Sequence, residues 1–229
     1  MSKQVLSAEE RKSIRAGIYH EQVNQSIDYG DGKIKFFVKY SRGKSVLDLG
    51  SVDHYEENHK SKYWLFKAIE ENALDVQGLD YYDEGVQALR AAGYNIQHGD
   101  AQAFSVDRKF EVVTAGDLIE HLPNLDGFIS SVKRALVENG HLVISTPNPW
   151  CWKYSLYHLF FGKLKPVNRE HVSWFCLQTI ENLFSRYDFE VVEFNYSSRR
   201  TYERFIPLPS RLKHTTLNVL LKVSSRGGA

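Results

Sequence analysis

Four acids recur at the ends of apolar runs. Asp48 sits in "SVLDLG", Asp80 closes "ALDVQGLD", Asp100 closes "YNIQHGD", and Asp117 follows "FEVVTAG". If those runs are neighbouring strands of an open parallel sheet, the acids gather beyond the carboxyl ends, where such sheets bind ligands. A carboxylate after the second run suits the paired hydroxyls of a ribose, because it accepts both hydrogen bonds. A polar acceptor after the third suits an adenine amino group. Acids are poor partners for a pyrophosphate, so the expected ligand is a nucleoside without a phosphate chain. Two histidines, His121 in "DLIEHL" and His171 in "REHVSWF", add side chains able to take a proton near neutral pH. The alternative for each is a histidine hydrogen-bonded in a loop. The chain has 9 histidines, but none shows an HxxxH or paired-carboxylate spacing, so no metal is expected.

The elements that must position these groups follow from periodicity. Strands are expected at 45–49, 73–80, 94–100, 110–116 and 140–146. Helical spacing fills 62–72, 83–93 and 125–140 between them. Strands alternating with helices argue for βαβ units and a mainly parallel sheet. The stretch 176–196 reads as helix, turn and strand, and 216–223 as a last strand, antiparallel to its predecessor. Residues 1–40 read as a helical cap with a turn at 28–32. Residues 150–175 are aromatic and irregular at their start, and suit a lid over an acceptor. Trp150, Trp152, Tyr154, Tyr157, Phe160 and Phe161 there would stack on a ring or pack as core.

The bulk numbers exclude several classes. A length of 229 residues with 42% apolar content fits one domain, 1–229, with a sizeable core. The formal net charge of +1 gives no bulk attraction to nucleic acid. Positive charge gathers late, at Arg199, Arg200, Arg204, Arg211, Lys213, Lys222 and Arg226 against Glu203. That segment could touch an anionic substrate or a membrane surface, or be a solvated face. Cys151 and Cys176 lack a CxxC spacing, which fits a reducing compartment. The polar N-terminus is no signal peptide, and no apolar run approaches the ~20 residues of a membrane span. A cytoplasmic protein is expected.

Taken in order, "VLDLG", "VQGLD", "HGDAQAF", "FEVVTAGDLIEHL" and "GHLVISTPNP" resemble the motif set of class I S-adenosylmethionine-dependent methyltransferases, over about residues 34–196. "DLIEHL" and "NREHVSWFCLQTIENLFSRYDFEVVEF" (168–194) are similar to the small-molecule O-methyltransferase branch, the relatives of ubiquinone-pathway and polysaccharide enzymes. The resemblance implies an α/β, Rossmann-like sheet of seven strands, order 3-2-1-4-5-7-6, strand 7 antiparallel, with helices on both faces. It implies S-adenosylmethionine as cofactor and a small-molecule or glycan acceptor. It places Gly50 and Ser51 at the methionine part of the cofactor, and Asp48 behind that loop or at the cofactor's amino group. Asp80 would hold the ribose, with Tyr81 beside it. Asp100 and Ala101 would meet the adenine. Gly116 and Asp117 would line the methionine end, and Leu118 the adenine or sulfonium side. His121 or His171 would be the general base, with His54 a weaker third.

The departure lies in the first loop. The family writes Asp/Glu-x-Gly-x-Gly-x-Gly; this chain writes Asp48-Leu49-Gly50-Ser51-Val52-Asp53-His54. Glycines serve there through positive φ or close approach, and Val52 tolerates neither readily. Asp80 follows Gly50 by 30 residues (80 − 50), against about 20 in the dinucleotide fingerprint. An extended loop over the cofactor, with Asp53 and His54 on cofactor or substrate, would account for both. The rival readings are a nicotinamide dehydrogenase or epimerase, a non-catalytic binding protein that kept the fold, and a nucleic-acid methyltransferase. The missing GxGxxG opposes the first, and the absent Asn/Asp-Pro-Pro-Tyr/Phe motif the last.

Overall fold

The computed structural model describes residues 32–52, 61, 63–161, 170–198 and 206–224. Seven strands form one sheet: β1 (Ser45–Leu49), β2 (Asp75–Asp80), β3 (Ile96–His98), β4 (Phe110–Gly116), β5 (Leu136–Pro147), β6 (Phe189–Ser197) and β7 (Thr216–Val223). Their order is β3-β2-β1-β4-β5-β7-β6. The first five are parallel, and β7 runs antiparallel to both β5 and β6. This is the order and handedness of pairing that the motifs imply.

Seven α-helices accompany the strands among the described residues: α1 (Gly32–Ser41), α2 (Leu65–Glu70), α3 (Asp83–Ala91), α4 (Leu125–Ala135), α5 (Trp152–Phe161), α6 (Leu177–Phe184) and α7 (Ser210–Lys213). Alternate residues of each strand point to opposite faces. Leu47, Leu49 and Val113 pack with Phe128 and Val132 of α4 and Phe184 of α6. Val46, Val112 and Val143 pack with Phe37 of α1, Phe66 of α2 and Val86 of α3. Both faces are covered, which is why the parallel strands read as unbroken apolar runs.

Apart from elements that are a few residues shorter than expected, such as β3 and α2, the structure departs from the expected elements at 125–140 and in the aromatic segment. Helical spacing predicts a helix over 125–140, but α4 ends at Ala135 and Leu136 turns extended at φ −81 and ψ 145. β5 starts there, bends through Asn139 at φ +59, and resumes pairing at His141 after a register shift. Asn-Gly favours such a bend, and the apolar Leu136–Val137 pair belongs to the strand instead. The aromatic segment, expected to be irregular, is helix α5. It buries none of its residues, and Leu159 and Phe160 are 74% and 72% exposed, so it is not core.

Asp48 interrupts the apolar run of β1. It lies opposite Thr114 on β4, whose Oγ1 donates to Asp48 Oδ1 at 2.6 Å. Burial pushes the Asp48 carboxyl up to about 7, against the lowering effect of the Thr114 hydroxyl. A carboxyl with a higher pKa folded than unfolded binds its proton more tightly in the folded state, so stability falls as pH rises between the two values. For Asp48 that window runs from the ordinary 3.8 to about 7, and above it the loss is complete. Asp48→Asn keeps an acceptor for Thr114 and removes the titration. Urea unfolding should show the variant gaining on the parent as pH rises from 4 to 8, by up to ~4 kcal/mol. An unchanged difference across that range would contradict the burial argument.

Phe37 is fully buried and anchors α1 to the sheet. Phe37→Ala should cost ~3–5 kcal/mol in the same assay.

Candidate active site

The strand order reverses between β1 and β4, so the connections leaving those two strands part and open a cleft. The loop after β1 enters it. Gly50 has φ +78, a conformation that favours glycine. Its backbone N–H donates to Leu79 O at 2.9 Å. Ser51 Oγ donates to Asp48 O at 2.7 Å and accepts from Leu79 N at 3.2 Å. Trp64 Nε1–H, coming from just before α2, donates to Ser51 O at 2.8 Å. Val52 N–H donates to Asp80 Oδ2 at 2.9 Å. Val52 has no positive φ and is 2% exposed. A β-carbon on Gly85 of α3 would stand 2.5 Å from Val52 Cγ1, so the glycine that this contact needs is on the helix. The loop is therefore held by side chains where the family uses glycines. Asp53 and His54 lie outside the described residues, so His54 is not placed as a cofactor contact or a base.

Asp80 closes β2 and is buried. Besides Val52, it accepts from Tyr82 N at 3.0 Å through Oδ1. Each oxygen keeps a lone pair for a hydroxyl. Tyr81 is largely exposed on the rim. Asp100, two residues beyond β3, is exposed and accepts from Gln102 N at 2.8 Å and Gln102 Nε2 at 3.2 Å. Ala101 is buried beside it. These residues, with Gly50, Leu118 and Leu122, line a cavity of about 360 Å³. Its size, apolar walls and terminal acids fit an adenosine.

A second cavity, about 770 Å³, shares Gly50, Asp80, Leu118, His121 and Glu170 with the first and adds Lys33, Asp48, Trp64, Gly116 and Asp117. Asp117 has φ +50. Its Oδ2 accepts from Lys33 Nζ at 2.8 Å and its Oδ1 from Ser145 Oγ at 2.7 Å. Burial would raise its pKa, but the Lys33 ammonium and the Ser145 hydroxyl outweigh that and hold it below the usual value. Sequence spacing gave no reason to single out Lys33 or Glu170, whereas Trp64 ends the extended loop expected over the cofactor.

After β4 the chain makes a short 3-10 turn, Ile119–His121. Glu120 O accepts from Val172 N at 2.9 Å and Ser173 N at 3.3 Å. These two bonds bring the distant 170–174 segment onto the turn. The His121 and His171 rings stand 4.7 Å apart, edge to face. Glu170 Oε2 lies 4.0 Å from His121 Nδ1. Trp174 sits 6.3 Å from His171 and 5.5 Å from Tyr154 of α5, ring to ring. Beneath them Glu120 is 1% exposed, and neither carboxylate oxygen has a hydrogen-bond partner. Burial and the nearby Asp117 charge push its pKa up to about 8. Glu120 escaped the sequence reading, although it adjoins His121 in "LIEHL". One ligand atom from each of Glu120, His121 and His171 lies within 4.8 Å of the others. The expectation of no metal rested on spacing along the chain, which does not see a group assembled from residues 50 apart (171 − 121).

Every predicted site residue except His54 and His171 lines one of two joined cavities, and His171 packs its ring on His121, which lines both. No helix among the described residues is long and apolar enough to cross a membrane.

Residues 19–194 match the family model for a methyltransferase domain. No curated protein matches the sequence. Among solved structures, the chain is similar to an S-adenosylmethionine-dependent methyltransferase from Mesorhizobium loti, at 17% identity and a TM-score of 0.56, over 82% of this chain and 95% of that one. A second, from Archaeoglobus fulgidus, shows 15% identity and a TM-score of 0.60 over 90% and 99%. A third, the N-methyltransferase NodS from Bradyrhizobium japonicum, shows 11% and 0.53 over 93% and 98%. At such identities the likeness concerns the fold and leaves the acceptor open. The family model, by contrast, spans most of the chain: the protein belongs to the methyltransferase domain family, and S-adenosylmethionine is its expected cofactor.

Proposed function

We propose that the protein moves a methyl group from S-adenosylmethionine to a hydroxyl of a small molecule or sugar. The observation that carries this reading is His121 on the wall of the cleft that Gly116 and Asp117 also line, with the His171 ring packed edge to face against it. In this reading Asp80 holds the ribose, Asp100 and Ala101 the adenine, and Gly50, Ser51 and Asp117 the methionine part. Tyr81 and Leu118 close over the ligand, and Asp48 stands behind the loop. The sulfonium is already a good leaving group. The protein has to align the acceptor oxygen with the methyl carbon and take its proton. One imidazole accepts the O–H proton as the O–CH3 bond forms and the S–CH3 bond breaks, leaving a neutral thioether. The exposed aromatic rings of α5 and the Trp174 indole suit the face of a sugar or another ring. The basic C-terminal segment is an anionic-surface contact in the same reading. Its Arg211 and Lys213 lie on α7, whereas Arg199, Arg200, Arg204 and Arg226 lie outside the described residues. A cytoplasmic setting and a role in polysaccharide or secondary-metabolite synthesis complete the proposal.

Calorimetric titration with S-adenosylhomocysteine, and with NAD as the rival, tests the cofactor half. S-adenosylhomocysteine should bind at micromolar concentration, and Asp80→Ala should weaken it by roughly 10- to 150-fold, the loss of one or two buried charged hydrogen bonds. Binding of NAD in its place would favour a dehydrogenase, and silence with both a non-catalytic protein. Methyl transfer from labelled donor to a panel of nucleotide sugars and quinone precursors tests the acceptor half. His121→Gln or His171→Gln should lower kcat by about 10²–10⁴, with S-adenosylhomocysteine affinity kept.

Val52→Gly bears on the altered first loop. It should cost ~1.5–3 kcal/mol in urea unfolding, the worth of a buried valine, and should not tighten S-adenosylhomocysteine binding. A marked gain in affinity would mean that the loop had decayed from the glycine form.

A further inference from the structure

We propose that Glu120, His121 and His171 bind a divalent first-row transition-metal cation at the acceptor end of the cleft. The site is assembled from two segments, the turn after β4 and the 170–174 stretch pinned to it through Glu120 O. Its three ligand atoms lie within 4.8 Å of one another. Bonds of about 2.0–2.2 Å to one ion require donors roughly 3–3.5 Å apart, so the side chains close by about an ångström. Glu120 supplies the independent observation. It is a buried carboxylate, 1% exposed, with both oxygens lacking a hydrogen-bond partner, and it lies beside the charged Asp117. Such a group is costly unless something positive meets it. The Lys33 ammonium is bonded to Asp117 Oδ2 at 2.8 Å and acts on Glu120 through its charge. Two imidazoles and one carboxylate suit Zn²⁺, Mn²⁺, Fe²⁺ or Co²⁺ better than Mg²⁺ or Ca²⁺, which prefer all-oxygen sets. Glu170, 4.0 Å from His121 Nδ1, stands where a carboxylate orients a ligating histidine.

Three protein ligands leave open positions facing the cavity that His121 and Glu170 line. The consequence rests on the methyl-transfer reading. An acceptor hydroxyl that coordinates the cation loses its proton to solvent more readily. Its oxygen then forms the O–CH3 bond as the S–CH3 bond breaks. In that state the histidines are ligands, and the cation takes the place of the imidazole base.

The test uses the full chain, stripped with EDTA and titrated with Co²⁺ by visible absorption and with Zn²⁺ by calorimetry. One equivalent should bind, and Glu120→Gln and His171→Ala should each weaken it about tenfold or more. His141→Ala, at the opposite end of β5, should leave it unchanged. S-adenosylhomocysteine titration of the same variants shows that the fold and cofactor site persist. Absence of stoichiometric Co²⁺ or Zn²⁺ binding, or binding undiminished in both Glu120→Gln and His171→Ala, overturns the proposal. If S-adenosylhomocysteine fails to bind while the metal binds, the methyl-transfer reading falls and the metal site stands.

Discussion

A parallel sheet that grows outward in both directions from one pair of strands sends the connections that leave them to opposite sides, and the backbone at the mouth between those connections has no strand to pair with. Buried N–H and C=O groups left that way are costly. Here the mouth lies beyond the carboxyl ends of the paired strands β1 and β4, and its backbone is satisfied piece by piece. Leu79 O takes the Gly50 N–H, Asp80 takes the Val52 N–H, and Trp64 covers Ser51 O. On the other side Ser145 O takes the Asp117 N–H at 3.0 Å. The cleft is open because these groups are paired sideways. The same pairings fix where Asp80 and Asp117 stand.

That arrangement explains how a loop with one glycine does work that relatives assign to three. The tight turn still needs Gly50 and its positive φ. The remaining positions are held by a hydroxyl, an indole and a valine in the core, each with a partner from a different element. The cost is coupling: the loop's shape depends on β2, on the segment before α2, and on α3. The gain is rigidity at the point where a cofactor's backbone contacts would form.

Much of this was readable in the sequence, and the limits have physical causes. The strand positions followed from apolar runs that end in acids, because strands buried on both faces read as compact apolar stretches, whereas the strand order came from the resemblance of the motif set. Asp48, Asp80, Asp100 and Asp117 could be singled out because strand ends share one edge. The bend at Asn139–Gly140 was hidden, since Leu136 and Val137 continue the helical spacing of α4 by coincidence. Glu120 was hidden as well. Its importance comes from burial without a partner, and no property of "LIEHL" reports burial. Lys33 reaches Asp117 from an element far away along the chain, and periodicity carries no information about such meetings.

Val52 and Gly85 divide one volume between them. The valine methyl occupies the space that a side chain at 85 would need, so the two positions behave as a single unit of inheritance. The Tyr82 ring closes the same space from the other side, 2.7 Å from where that β-carbon would stand, so the glycine answers to both neighbours. A change back to the common loop therefore has to pass through either an empty pocket or an overfilled one.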